Sequence, residues 1–535
     1  MLENVVGNYI DSLTEREFDA PFIALLPLLG FFDIHYLHGA FEFGKDFIAK
    51  RIENGVTKQY VFQSKAGNLA LHEWSAIRGQ LDMLRTDVKS HPNFDSDFPR
   101  EPRLVTTGRL TGAAPIAAQS YKDHLLNLGE STFEIWDRDS LVEKLVSAPS
   151  ALSTSSTSLL QALGTQGVDL NFQYLENYSR AWIRLSPDIS MLRDVIEASL
   201  VAHHCRVEGR IDLACYMALM LLRAVVTTAH GQAPFSPTVR AAYTAAVTLF
   251  RNYATDLWNT CKDSFLDGDD IFLAGRTTFL SYPTKCSTII ELLSLLGLLH
   301  CVGGDAMGGE ISEYLSRFIM ANEGCLHPVS DRWAYALLPT GILLGTFSHI
   351  STLTHLLTQV TVWVANHYEE DIGLAGPYAT IEKEATYFFG SSLEHVEAPK
   401  RSASLLATFV LDLCALLNMP KEYDIFRNEF LSVELHTPVI EAPDDCSQYC
   451  THLNGYIHEP NAPFVPNWVE AENGIVAPHH NRPAEPYYAE SIDSGWCLIA
   501  IGSVTRDRHL VRNSRELIRR LHSSKAIPPT LVATN

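Results

Sequence analysis

The sequence predicts a mixed α/β region over residues 1–146, a central sheet flanked by helices, followed by a large all-α region. Three observations carry this reading. Asn54-Gly55 lies between two segments of β-type alternation in DFIAKRIENGVTKQYVFQSKAGN (46–68), the strongest short-range hairpin signal. A Ser/Thr-rich run, SAPSALSTSSTS (147–158), marks a linker. Beyond it, apolar-periodic stretches such as IDLACYMALMLLRAVV and SASLLATFVLDLCALL follow one another with few β-branched alternations.

Apolar residues between Phe18 and Phe31 recur at helical spacing and stop at Gly30, which gives the first helix. The Asn-Gly hairpin comes next, then a helix from Leu71 to Val88 and a buried strand at PRLVTTG (102–108). A further helix begins after Thr111, and a short strand lies at Phe133–Trp136. After the linker, 159–433 reads as an all-helical partner or sensor domain. The remainder, 434–535, holds eight prolines between Pro438 and Pro486 and reads as an irregular wrap ending in a basic helix at 505–525.

The chain has 535 residues, 46% hydrophobic and 19% charged, which excludes a disordered protein. Its 41 Lys+Arg against 62 Asp+Glu leave a net charge of -21, so a whole-surface coat on nucleic acid or an anionic membrane is excluded. The ten cysteines form no disulfide framework, and MLENVVGNYIDSLTEREFD lacks the pattern of a signal peptide. The apolar run TIIELLSLLGLLHCV (288–302) carries Glu291 and reads as a buried core helix, giving the expectation of a cytoplasmic protein with no membrane association.

The residues that point to chemistry are Asp46 and Gln63-x-Lys65, on the two arms of the predicted hairpin. Period-two alternation puts Gln63 and Lys65 on one strand face, where Asp46 can meet them across the ladder. A carboxylate and a second oxygen ligand suit Mg²⁺, and an adjacent lysine can stabilise charge building on a phosphoryl group.

This segment resembles the PD-(D/E)XK nucleases, and among them the Mrr-like restriction endonucleases, which commonly carry Gln before x-Lys, as in Gln63-Ser64-Lys65. EFDAPFIALLPLLGF (17–31) is similar to the family's first helix, with Asp19 where a Glu is usual and Glu17 beside it as the other candidate acid. HGAFEFGKD (38–46) adds Glu42, VTTGRLTGAA (105–114) resembles the family's strand-to-helix segment, and IWDRDSLVEKL (135–145) its closing strand and helix. The resemblance covers about residues 15–146 and implies a restriction-endonuclease-like core. It also implies catalytic Asp46, Gln63, Lys65 and Glu42, with Asp46, Gln63 and Glu42 on Mg²⁺ or Mn²⁺. Fusion of such nucleases to unrelated sensor regions is typical of bacterial anti-phage defence and restriction systems. The expectation is therefore a DNA endonuclease controlled by its helical region or by a partner subunit, such as an ATPase or helicase, or by a second copy. RNA would use the same site. The alternative from another class is a catalytically inactive nuclease-fold scaffold.

Other motifs are weaker. Cys446-x3-Cys450-x-His452, with His458 nearby, has zinc-type ligands but no standard spacing. His203-His204-Cys205 lies on a helical stretch where successive side chains diverge by ~100°, so packing is the expectation. GGDAMGG (303–309) reads as a helix–helix turn. In the tail, Arg512, Arg515, Arg519 and Arg520 are candidates for contact with nucleic acid or an acidic partner.

Overall fold

The structure is a computed structural model that describes residues 2–37, 46–85, 94–95, 97–147, 156–166, 169–184, 186–229, 235–266, 281–376, 384, 403–437, 439–441, 456–458, 465, 467–469 and 494–505. These fall into two compact units, residues 1–208 with 224–252, and residues 209–223 with 253–535.

The first unit is built on a five-stranded mixed sheet in the order β1-β2-β3-β4-β5: Phe32–Tyr36, Phe47–Glu53, Val56–Lys65, Arg100–Thr106 and Glu134–Trp136. The β1–β2 and β2–β3 pairs are antiparallel, whereas β3–β4 and β4–β5 are parallel. The β2–β3 hairpin closes at Glu53↔Val56 through Asn54 and Gly55, both at positive φ (51° and 79°), the backbone of a type I′ turn that only such residues adopt cheaply. The β1 strand is absent from the expected order of elements.

Helix α1 (Leu2–Ser12) precedes α2 (Glu15–Leu28), whose start is set by a capping box between Thr14 and Glu17. Phe18 and Phe22 of α2 pack with Phe47, Phe62 and Trp136, the Phe22 ring lying 5.1 Å from Phe47 and 5.3 Å from Phe62. Alternation turns the neighbouring Ile48 and Val61 into a second cluster with Leu104. That cluster is covered by Trp74 and Leu81 of α3 (Leu71–Leu84) and by Tyr121 and Leu125 of α4 (Ala114–Asn127). Burial of each such side chain contributes roughly 1.5–3 kcal/mol. The sheet is thus largely apolar on both faces, with Gln59 and Arg103 as buried polar exceptions within β3 and β4.

Helix α5 (Arg138–Ser147) follows β5, and α6 (Ser156–Gly164), α7 (Phe172–Ser179) and α8 (Ser190–Val207) continue the same unit. The first unit runs on past residue 146 through Glu208. The reason is that α2 packs on α8, with Glu17 of α2 buried against His203 and Arg206 of α8. Of the expected linker 147–158, residues 148–155 lie outside the described residues and Ser156 already opens α6. Two long helices, α9 (Ile211–Thr228) and α10 (Pro237–Cys261), contribute residues to both units.

In the second unit, α11 (Ser281–Val302) is buried along nearly its whole length and packs on α12 (Met307–Ala321) and α13 (Ala334–Thr346). Residues 303–306 make the turn between α11 and α12, while Met307, Gly308 and Gly309 of the expected turn already belong to α12. Glu291 is accommodated in α11 because the Tyr216 hydroxyl donates to its Oε2 at 2.8 Å. Helices α14 (Ile350–Glu369), α15 (Leu405–Leu416) and α16 (Pro420–Ser432) complete the layer. Asp331 fixes the start of α15 by accepting from Ser404 Oγ at 2.6 Å and Leu406 N at 3.1 Å. Helix α17 (Ser494–Thr505) seats Trp496 on α11, its indole donating to Leu295 O at 2.7 Å. Among the described residues of the Pro-rich segment, β6 (Val439–Glu441) pairs antiparallel with β7 (Tyr456–His458), so this part is locally regular rather than irregular.

Candidate active site

The first unit gathers polar side chains where β2 begins and β3 ends. Asp46 immediately precedes β2, and its backbone N–H donates to Phe62 O at 2.8 Å, which sets it opposite Gln63. Gln63 Nε2 donates to Asp46 Oδ2 at 2.7 Å, and the Ser64 N–H donates to the same oxygen at 2.5 Å. The strand itself therefore fixes the carboxylate. Gln63 is only 2% exposed, and its Oε1 is buried with no hydrogen-bond partner. An amide oxygen in that state costs roughly 1–3 kcal/mol unless a ligand satisfies it.

Lys65, the last residue of β3, places its ammonium 3.1 Å from Glu15 Oε1, at the first turn of α2. Its backbone carbonyl accepts from Thr107 N at 3.1 Å. The loop after β4 crosses the loop after β3 at Gly108 and Gly67, where a Cβ on residue 108 would overlap the Gly67 carbonyl. Thr106 Oγ1 donates to Gly67 O at 2.8 Å and Gly67 N donates to Thr107 Oγ1 at 2.9 Å, so the VTTG segment clamps the end of the strand bearing Lys65.

Of the two first-helix acids, Asp19 accepts from the Tyr36 hydroxyl at 2.7 Å and is buried. Burial, together with repulsion from Asp46 and Glu15, pushes its carboxyl up to about 8 despite the Tyr36 hydrogen bond. Glu17 is committed elsewhere, to Thr14, His203 and Arg206. The structure thus brings together Asp46 and Gln63, sets Asp19 within electrostatic reach of Asp46, and pairs Lys65 with Glu15, which the sequence reading did not select. Glu42, Arg512, Arg515, Arg519, Arg520, Cys446, Cys450 and His452 lie outside the described residues. His458 ends β7.

Asp46 and Gln63 carry oxygens of the hard type, and Gln63 Oε1 is the one left unsatisfied. Among the described residues, no group of three or more His, Cys, Asp or Glu is gathered as a metal site, so the amide oxygen is the distinguishing donor. Comparison with protein-family models, with curated proteins and with solved structures finds no match to this chain.

Proposed function

We propose that the chain is a metal-dependent phosphodiester hydrolase acting on nucleic acid, DNA foremost, and that it serves as the cutting subunit of a defence or restriction system. The observation that carries this reading is the Asp46–Gln63 pair, one side chain anchored by the backbone and the other with a buried, unpartnered amide oxygen. The strand order, with two antiparallel pairs and then two parallel ones, agrees with the nuclease resemblance of residues 15–146.

Asp46 and Gln63 would hold Mg²⁺ or Mn²⁺, with Asp19 as the next acid. When bound, such an ion neutralises phosphate charge and acidifies water. The chain's own contribution at the reacting phosphate is Lys65, whose ammonium opposes the negative charge that builds on the phosphoryl oxygens. Glu15 keeps that ammonium oriented at 3.1 Å. Residues 1–150 carry 15 Lys+Arg against 21 Asp+Glu, a net of -6, so capture of nucleic acid calls for a basic surface from a partner subunit or a second copy. The helical remainder is the part left to control when cutting occurs.

Full-length protein with Mg²⁺ or Mn²⁺ should cleave plasmid DNA or RNA. Lys65→Ala should lower the rate about 100-fold or more, as loss of a charge-stabilising donor does, with metal binding kept. Asp46→Ala should lose both. Wild-type protein that stays as inert as Lys65→Ala on both nucleic acids, alone and with its partner, makes the scaffold alternative correct.

A further inference from the structure

Away from the strand ends, the first unit aligns Ser12 and His203 with Glu17, the first-helix acid that the structure commits elsewhere than Asp46. Ser12 closes α1 and is exposed, and its Oγ lies 2.8 Å from Nε2 of His203, on α8. The other ring nitrogen, Nδ1, lies 3.2 Å from Glu17 Oε1 on α2. We propose that Ser12 is an activated nucleophile with His203 as its general base and Glu17 as the group that orients the imidazole, a second site that takes small activated carboxylic esters.

The order of the hydrogen bonds follows from Glu17. Its Oε2 accepts from Thr14 N at 3.0 Å and Thr14 Oγ1 at 2.8 Å, and Arg206 Nη1 stands 3.2 Å from Oε1. Two donors from Thr14 and the Arg206 guanidinium thus face this carboxylate, and all of them match its charged form. An ionised carboxylate only accepts, so Nδ1 of His203 carries the proton facing it. In the neutral ring this leaves the Nε2 lone pair directed at Ser12. The Ser12 proton then has two acceptors at 2.8 Å, His203 Nε2 and Tyr9 O. Tyr9 packs edge-on against the His203 ring, with centroids 5.6 Å apart, and steadies its plane.

A serine that merely ends a helix needs only the carbonyl three residues back. Burying an imidazole and a carboxylate beside it, from two other helices, costs desolvation that a cap does not require. The arrangement instead satisfies the nucleophile–base and base–orienter geometry of acyl transfer. Ser12 Oγ would bond to the ester carbonyl carbon while its proton passes to His203 Nε2. The bond to the alcohol then breaks, with that proton going to the leaving oxygen. Water, deprotonated by His203, releases the acid, and the net reaction is ester plus water to acid plus alcohol. The substrate class follows from the neighbouring backbone: Leu13 N–H donates to Ile10 O and Thr14 N–H to Glu17, so neither is offered to an oxyanion. Only esters with good leaving groups would react.

Full-length protein treated with a fluorophosphonate probe, followed by peptide mass spectrometry, tests this. Labelling should fall on Ser12, at least tenfold faster than on any other serine. Ser12→Ala should abolish the label and slow p-nitrophenyl acetate hydrolysis, and Glu17→Gln should slow labelling of Ser12 at least tenfold. Label scattered over other serines, or no label on Ser12, overturns the proposal. The wild-type label requires no substitution at the buried histidine. Neither result depends on whether the chain cleaves nucleic acid.

Discussion

Gly108→Ala probes the clamp that holds the end of β3. A Cβ at residue 108 would overlap the Gly67 carbonyl and the Asn68 nitrogen, which are backbone atoms that no rotamer change can move. Carbon contacts settle near ~3.5–4 Å, so the two loops must part by about 1.5 Å. Overpacking of this kind costs about 1–3 kcal/mol. The bonds across the crossing include Leu69 N to Arg109 O at 2.9 Å, Thr111 N to Leu69 O at 3.0 Å and Arg109 N to Asn68 Oδ1 at 2.9 Å. Losing two of them adds about 1 kcal/mol each, for a total of about 3–5 kcal/mol. At roughly 2–4 °C per kcal/mol, the transition of the first unit should fall by about 10 °C in calorimetry of the full-length protein. Because the Lys65 carbonyl is bonded to Thr107 N, the ammonium should move with the loop. A displacement of about 1 Å at a reacting group costs on the order of 100-fold in rate. A variant that melts within about 2 °C of wild type and cuts at the wild-type rate would refute the clamp.

In metal-free buffer, Asp19→Asn should be progressively more stabilising as pH rises. The folded carboxyl titrates at about 8 against 3.8 unfolded, so the wild type has its full stability below the lower value and loses it toward the upper one. Melting curves of both proteins from pH 4 to 9 check this through their widening separation. Gly55→Ala places a Cβ on a residue at φ 79° and should cost about 1–2 kcal/mol, read from thermal unfolding. The lone full-length chain should bind duplex DNA more weakly than about 1 μM at physiological salt, with a titration by fluorescence anisotropy as the check. A fragment of residues 1–150 should fail to reach a native fold, as judged by near-ultraviolet circular dichroism, because it strips α8 from α2 and leaves Glu17 without His203 and Arg206.

The hairpin was legible because an Asn-Gly pair is nearly a backbone instruction, and Asp46 could be set across from Gln63 once that turn fixed the register. Strand β1 was not legible. Its ladder shifts register between Phe32 and His35, and Asp33 sits at φ 52°, so the two-residue alternation that would announce a strand is broken. Helix α2 was found from its spacing, but which of its acids faces Asp46 was decided by packing. Glu17 is consumed by its cap and by residues some 186 positions later, a separation no local pattern encodes. The same long reach hides the Glu15–Lys65 and Ser12–His203 pairs, since each half is ordinary in its own stretch of chain. The boundary at 147–158 followed composition, whereas compactness follows the burial of α2 under α8.

The first unit has a consequence for synthesis. Its chain leaves after Glu208 and comes back at Ala224–Asn252, where the Asn252 amide donates to Arg16 O. A ribosome that has delivered every strand of the sheet, through Trp136, must still thread out more than a hundred residues before the last piece of that unit exists. At ~5–20 residues per second this leaves an interval of several seconds in which the sheet is exposed and the unit unfinished. Nascent chains stalled or cleaved in that window would carry the strand ends bearing Asp46, Gln63 and Lys65 without the segment that completes their unit. A cell making this protein thus completes the first unit only after the message has been read well past the sheet.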